Sequence, residues 1–271
     1  MDRYKNEEYL KQQIMCQNRH QFIFGYNNDV RRNFTEKLDR EFPIKVDSND
    51  PIGIYIRDFG LPKIDFDCTV LDNSRIDIVS IEYLTFTIFY NLLLKSIEDV
   101  GEDLLNVRIQ KIFTMLNKYS INSGHTNIGN LQDLINIVEE SKEFYRMYYI
   151  DYLTNGFIER TPDELALPFL HLESFVSKYK QVLNINSHFD IIIEKCEDTA
   201  ISSIKAVNNL VGARINKDIS MKIIVEPGMW DCYIASNNEH IDAVHDYGFI
   251  ELDDSHGQYI KKLSSKNTIL L

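Results

Sequence analysis

The residues best placed for chemistry follow a short apolar run near the start of the chain. Gln21-Phe22-Ile23-Phe24 ends at Gly25, and Tyr26-Asn27-Asn28-Asp29-Val30-Arg31-Arg32 follows. A strand, a glycine, a polar turn and a helix start bring unpaired backbone N–H groups together, which is how phosphate is held. The phosphate-cradling signature is G-x-x-x-x-G-K-[ST]. Gly25 matches it. Val30 stands at the second glycine, Arg31 at the lysine and Arg32 at the hydroxyl residue. Valine resists the positive φ that a close phosphate wrap needs. Arginine is bulkier than lysine and planar. Arg32 would repel the Mg²⁺ that a serine or threonine hydroxyl ligates. On its residues alone, the segment also reads as an ordinary strand-to-helix turn.

The second place is Phe189-Asp190-Ile191-Ile192-Ile193-Glu194-Lys195-Cys196-Glu197-Asp198. Nucleotide hydrolases end such a strand in an aspartate for Mg²⁺, often followed by a glutamate that activates water. Glu194 stands at the first position and Lys195 at the second. A protonated lysine is no base and repels a metal. Glu197 and Asp198 read as acids at a helix start, where the macrodipole favours them.

Other chemistries find little support. Cys16, Cys68, Cys196 and Cys232 form no C-x-x-C pair, and the seven histidines show no ligand spacing, so no metal site is expected. No G-x-S-x-G elbow frames a nucleophile. The net charge of −12 repels phosphate backbones, and the basic groups Arg31-Arg32, Lys178 with Lys180, and Lys261-Lys262 form no stripe, so nucleic acid is not an expected partner. The longest uncharged apolar stretch, Tyr83 to Leu94, is shorter than the roughly twenty residues of a spanning helix. With a polar start and no leader pattern, the expectation is a cytoplasmic protein with no membrane association.

The elements that must position these residues follow from periodicity. Residues 5–19 carry a weak helical period. The run 21–25 reads as a strand, and Val30, Phe34, Leu38 and Phe42 recur at helical spacing until Pro43. A second strand is expected at 52–56. Helices are expected at 76–98, 102–119, 128–154 and 162–184, with Gly101 parting the first two. The aromatics Phe144, Tyr145, Tyr148, Tyr149 and Tyr152 are expected in the core, and Trp230 in a packed loop. Buried strands at 189–193 and 221–225 flank a helix at 199–214, and 247–252 is a last strand. Alternating strands and helices imply α/β architecture with a parallel sheet flanked by helices. Residues 1–75 and 186–271 form this core, with 52–56, 189–193 and 221–225 as neighbours of 21–25. Residues 76–185 are a large helical insertion that caps the sheet or stands beside it.

Two blocks of sequence resemble a known class. FIFGYNNDVRRN and PIGIYIRDFG resemble the front half, and FDIIIEKCED, SSIKAVNNLVGAR, ISMKIIVEPGMW and HDYGFIELD the back half, of the P-loop ATPase core of origin-recognition-type AAA+ and STAND-like bacterial ATPases. The resemblance implies a P-loop NTPase-like sheet. It would put a nucleotide against Gly25, Asn27, Asn28, Arg31, Arg32 and Glu194, and a polar sensor at Glu226, whose charge opposes a γ-phosphate. Both catalytic motifs are altered together while the strands stay intact. The expectation is therefore a catalytically degenerate ATPase-fold protein, without catalytic residues or a required cofactor. It would be a scaffold or regulatory partner of an active ATPase or effector, in a bacterial defence or mobile-element setting. The alternative is a nucleotide-binding switch that holds ATP or ADP with little hydrolysis. Two adjacent cations at a helix start need an answering anion, so Arg31 or Arg32 is expected to pair with Glu194 or Glu197.

Overall fold

The computed structural model describes residues 2–57, 59–63, 73–120, 128–155, 172–194, 199–212, 218–228, 230, 233–235, 239–242 and 246–252. In chain order the elements are α1 (Asp2–Met15), β1 (His20–Gly25), α2 (Asn28–Glu41), β2 (Ile52–Ile56), α3 (Asn73–Val100), α4 (Glu102–Ser120), α5 (Leu131–Asn155), α6 (Leu172–Leu183), β3 (Phe189–Glu194), α7 (Ile201–Gly212), β4 (Ile219–Val225) and β5 (Tyr247–Leu252). The start of the helix expected at 162–184, residues 162–171, lies outside the described residues.

The five strands form one sheet in the order β2-β3-β4-β1-β5, every pair parallel. The α/β class is thus as expected, and β1 and β3 share a sheet. The expected neighbours of β1 need correction. β4 and β5 flank it, while β3 adjoins β4 and β2 is an edge. Connection lengths allow several orders, and apolar runs alone do not choose among them.

Alternation along each strand divides the sheet into two faces. Phe22, Ile54, Ile191, Ile193, Met221, Ile223 and Tyr247 face a large core with α3, α5, α6 and α7. Ile23, Ile192, Ile224, Ile250 and Leu252 face a smaller core beneath α1 and α2, met by Leu10, Ile14, Met15, Phe34 and Leu38. The helical block caps the first face, because Phe86, Phe89 and Leu92 of α3 belong to the same core as Phe189 and Ile191. Among the described residues α3 is the one helix long and apolar enough to cross a membrane, and 61% of its apolar window is buried inside the protein. Tyr145, Tyr148, Tyr149 and Tyr152 of α5 are buried, Tyr145 stacking on Phe86 at 5.6 Å. Trp230 packs edge-on against Phe22 at 5.1 Å.

The α2 helix is seated tightly on β2. A Cβ at Gly53 would lie 2.8 Å from the Leu38 carbonyl oxygen and 3.1 Å from Met15 Cε. The outward amides of β2 are also answered: Gly53 donates to the Phe42 carbonyl (2.9 Å) and Tyr55 to the Asp39 carboxylate (3.1 Å). That edge therefore offers no open donors to another strand. Gly101, at φ +92°, ends α3 in the left-handed region that glycine enters without strain.

Candidate functional site

In open parallel sheets, ligands bind beyond the carboxyl ends of the strands, between neighbours whose connections leave to opposite faces. Here those neighbours are β1 and β4. The chain leaves β1 through α2 on the smaller-core face. It leaves β4 through the segment carrying Trp230 and Tyr233, which packs on Phe22 on the other face. The crevice lies between Gly25 and Glu226, with Glu194 at the end of β3 beside it.

The turn from β1 to α2 is only Tyr26-Asn27 long. Asn27 is the N-cap in extended conformation, and its side-chain oxygen accepts from the amides of Asp29 (2.8 Å) and Val30 (3.3 Å). The Arg31 amide donates to the Asn27 carbonyl at 3.0 Å. Three of the donors that a phosphate could use at this helix start, the amides of Asp29, Val30 and Arg31, are thus answered by Asn27 itself.

Arg31 turns back into the crevice and is buried to 7% exposure. Its Nη1 donates to the Gly25 carbonyl at 2.6 Å and lies 3.7 Å from Glu226 Oε2. Nη2 donates to Asn28 Oδ1 at 3.5 Å, and Nε lies 3.6 Å from Glu194 Oε1. Four oxygens thus surround one guanidinium. Gly25 has no side chain because the stem of Arg31 passes there: a Cβ would meet Arg31 Cγ at 2.9 Å. Glu194 also accepts from the Tyr55 hydroxyl at 3.4 Å. Burial holds its carboxyl above the ordinary range, opposed by the Arg31 charge.

Of the expected site residues, Gly25, Asn27, Asn28, Arg31 and Glu194 are brought together. Arg32 is not: it faces solvent and pairs with Glu36 one turn on, at 3.4 Å. Lys195, Glu197 and Asp198 lie outside the described residues. The expected pairing of Arg31 with Glu194 is present, and Glu226 is a second partner. On sequence Glu226 is expected to oppose a phosphate; in the structure it stands beside a cation. Among the described residues, no group of three or more His, Cys, Asp and Glu is placed to hold a metal.

A second ionic cluster lies at the opposite end of the sheet. Asp190 of β3 and Lys222 of β4 are both fully buried on the α1 face, 3.2 Å apart. Lys222 also donates to the carbonyls of Gln17 (2.8 Å) and Arg19 (2.9 Å), just after α1. Ser220 donates to Asp190, and His188 Nε2 lies 3.3 Å from its other oxygen. His20 accepts the Met221 amide on Nδ1 at 3.0 Å. Burial and the Lys222 charge push its pKa down to about 4. Sequence reading missed this cluster. Its signal was one charge of each sign inside two apolar strands, Asp190 in FDIII and Lys222 in SMKII.

No match to this chain was found among protein-family models, curated proteins or solved structures.

Proposed function

We propose that the chain is a catalytically degenerate protein of ATPase-like α/β build. It acts as a scaffold or regulatory partner of another protein, an active ATPase or an effector. One observation carries this reading: the crevice where a parallel sheet takes its ligand is filled by Arg31, held by Glu194, Glu226 and Gly25. A triphosphate entering there would meet two carboxylates, and its magnesium would meet a guanidinium. The amides of Asp29 and Val30, which could bind phosphate, are already taken by Asn27. The same features speak against the nucleotide-binding switch, in which a polyphosphate would face Glu194 and Glu226 and Asn27 would have to give up its capping role. Burial of α3 inside the protein supports its reading as a core helix rather than a membrane span; a cytoplasmic location belongs to the same proposal.

Thermal unfolding with ATP, ADP or GTP, with and without Mg²⁺, tests the proposal. The expected result is an unchanged midpoint in every arm, since a ligand that binds only the folded state raises it. A saturable shift without magnesium establishes the switch. ATP hydrolysis by purified protein that Arg31→Ala abolishes refutes the proposal.

A further inference from the structure

We infer that the crevice between β1, β3 and β4 is a guanidinium-binding pocket, occupied by the protein's own Arg31 and fit for an arginine side chain of a partner. The scaffold reading supplies the visitor; the pocket itself stands on the geometry alone.

The acceptors match one chemical shape. A guanidinium is planar and carries five N–H donors in a fixed fork. Each Arg31 nitrogen has an oxygen near it: Glu194 beside Nε, Gly25 and Glu226 beside Nη1, Asn28 beside Nη2. An ammonium, with its donors on one nitrogen, cannot span this set. Two carboxylates answer one cation, so the walls carry excess negative charge.

The occupant is only partly bonded. The Arg31 Nε is buried and makes no hydrogen bond, although the side chain is nine-tenths buried and directed at Glu194. Both carboxylates stand beyond hydrogen-bond distance, at 3.6 and 3.7 Å. Burial still raises the Glu194 carboxyl despite the neighbouring arginine. The internal ligand therefore leaves acceptor capacity unused. The mouth is also accessible: the Glu226 side chain is 40% exposed, and Tyr26 in the adjoining turn is 60% exposed. An incoming arginine can meet Glu226 before Arg31 gives up Gly25 and Glu194.

The test empties the pocket and refills it. Arg31→Ala in the full chain is expected to unfold at lower temperature than the wild type. Ethylguanidinium at non-denaturing concentration should restore the midpoint saturably, with half-effect in the millimolar range of a lost intramolecular tether. N-acetyl-arginine amide should do the same. Ethylammonium, N-acetyl-lysine amide and matched NaCl should not, and Arg31→Ala with Glu226→Gln should lose most of the rescue. Equal rescue by the ammonium probes, or none by guanidinium, overturns the inference. Should Arg31→Ala not fold alone, folding brought about by ethylguanidinium supports it. Should it fold in no condition, a cycle of Arg31→Lys and Glu226→Gln decides. Coupling between the two supports the pocket, and strict additivity overturns it. The nucleotide arms above fail or succeed independently of these.

Discussion

His20 sets a measurable acid sensitivity. Its ring accepts a backbone amide and stands beside Lys222, so a proton is unwelcome in the folded state. The unfolded chain takes that proton at the ordinary value of 6.5, and the folded protein resists until about 4. Between these values the unfolded state binds more protons, so stability is full above pH 6.5 and falls as pH drops toward 4. The gap corresponds to a loss of about 3 kcal/mol, as an order of magnitude. Asp77 and Glu194, raised by burial, act with the opposite sign, because the folded state takes their protons first. Comparing His20→Gln with wild type isolates the histidine. Urea unfolding at several pH values should show a shallower slope between pH 6.5 and 4 in the variant, and an unchanged slope would count against the assignment.

At the scale of elements, the seat of α2 on β2 is tight against backbone. Gly53→Ala would drive a methyl into the Leu38 carbonyl, which is backbone and cannot swing aside. The expected loss is about 1–3 kcal/mol, the range for overpacking. Gly25→Ala meets the flexible stem of Arg31 and should cost less in thermal unfolding, but it should weaken the Arg31 pocket. Much of this level was legible in the sequence. Runs such as Ile191-Ile192-Ile193 and Ile223-Ile224-Val225 are buried on both faces and announce themselves. The pairing of Arg31 with Glu194 was also legible, because both charges sit where a helix starts and a strand ends. Strand order was not, since no local pattern records that β1 lies between β4 and β5. The Lys222 clasp was not, since its acceptors are backbone carbonyls and carry no residue signature.

Across the molecule, Lys222 joins parts of the chain far apart in sequence. It is fully buried, and burial lowers its pKa against the favourable charge of Asp190. Lys222→Met alone leaves the buried Asp190 carboxylate without its ammonium, with Ser220 and His188 still beside it, and is expected to cost about 3–5 kcal/mol. Adding Asp190→Asn removes that penalty, so the double variant should be more stable than the sum of the singles implies. The carbonyls of Gln17 and Arg19 still lose the Lys222 ammonium in it. Hydrogen exchange should therefore show faster exchange in α1 while the central strands keep their protection. Equal protection of α1 in wild type and double variant would show that the clasp holds nothing.

The strand order also governs how the protein comes into being. Both hydrogen-bonded neighbours of β1, the strands β4 and β5, are made only after β2, β3 and the helices α2 to α7. Until then the apolar residues Phe22, Ile23 and Phe24 of β1 lack their native ladder, and α1 has neither a finished sheet below it nor Lys222 to hold its end. Contacts of such long sequence separation close slowly, and unpaired strand backbone is open to wrong partners meanwhile. The nascent chain depends on whatever shields β1 until β4 and β5 arrive.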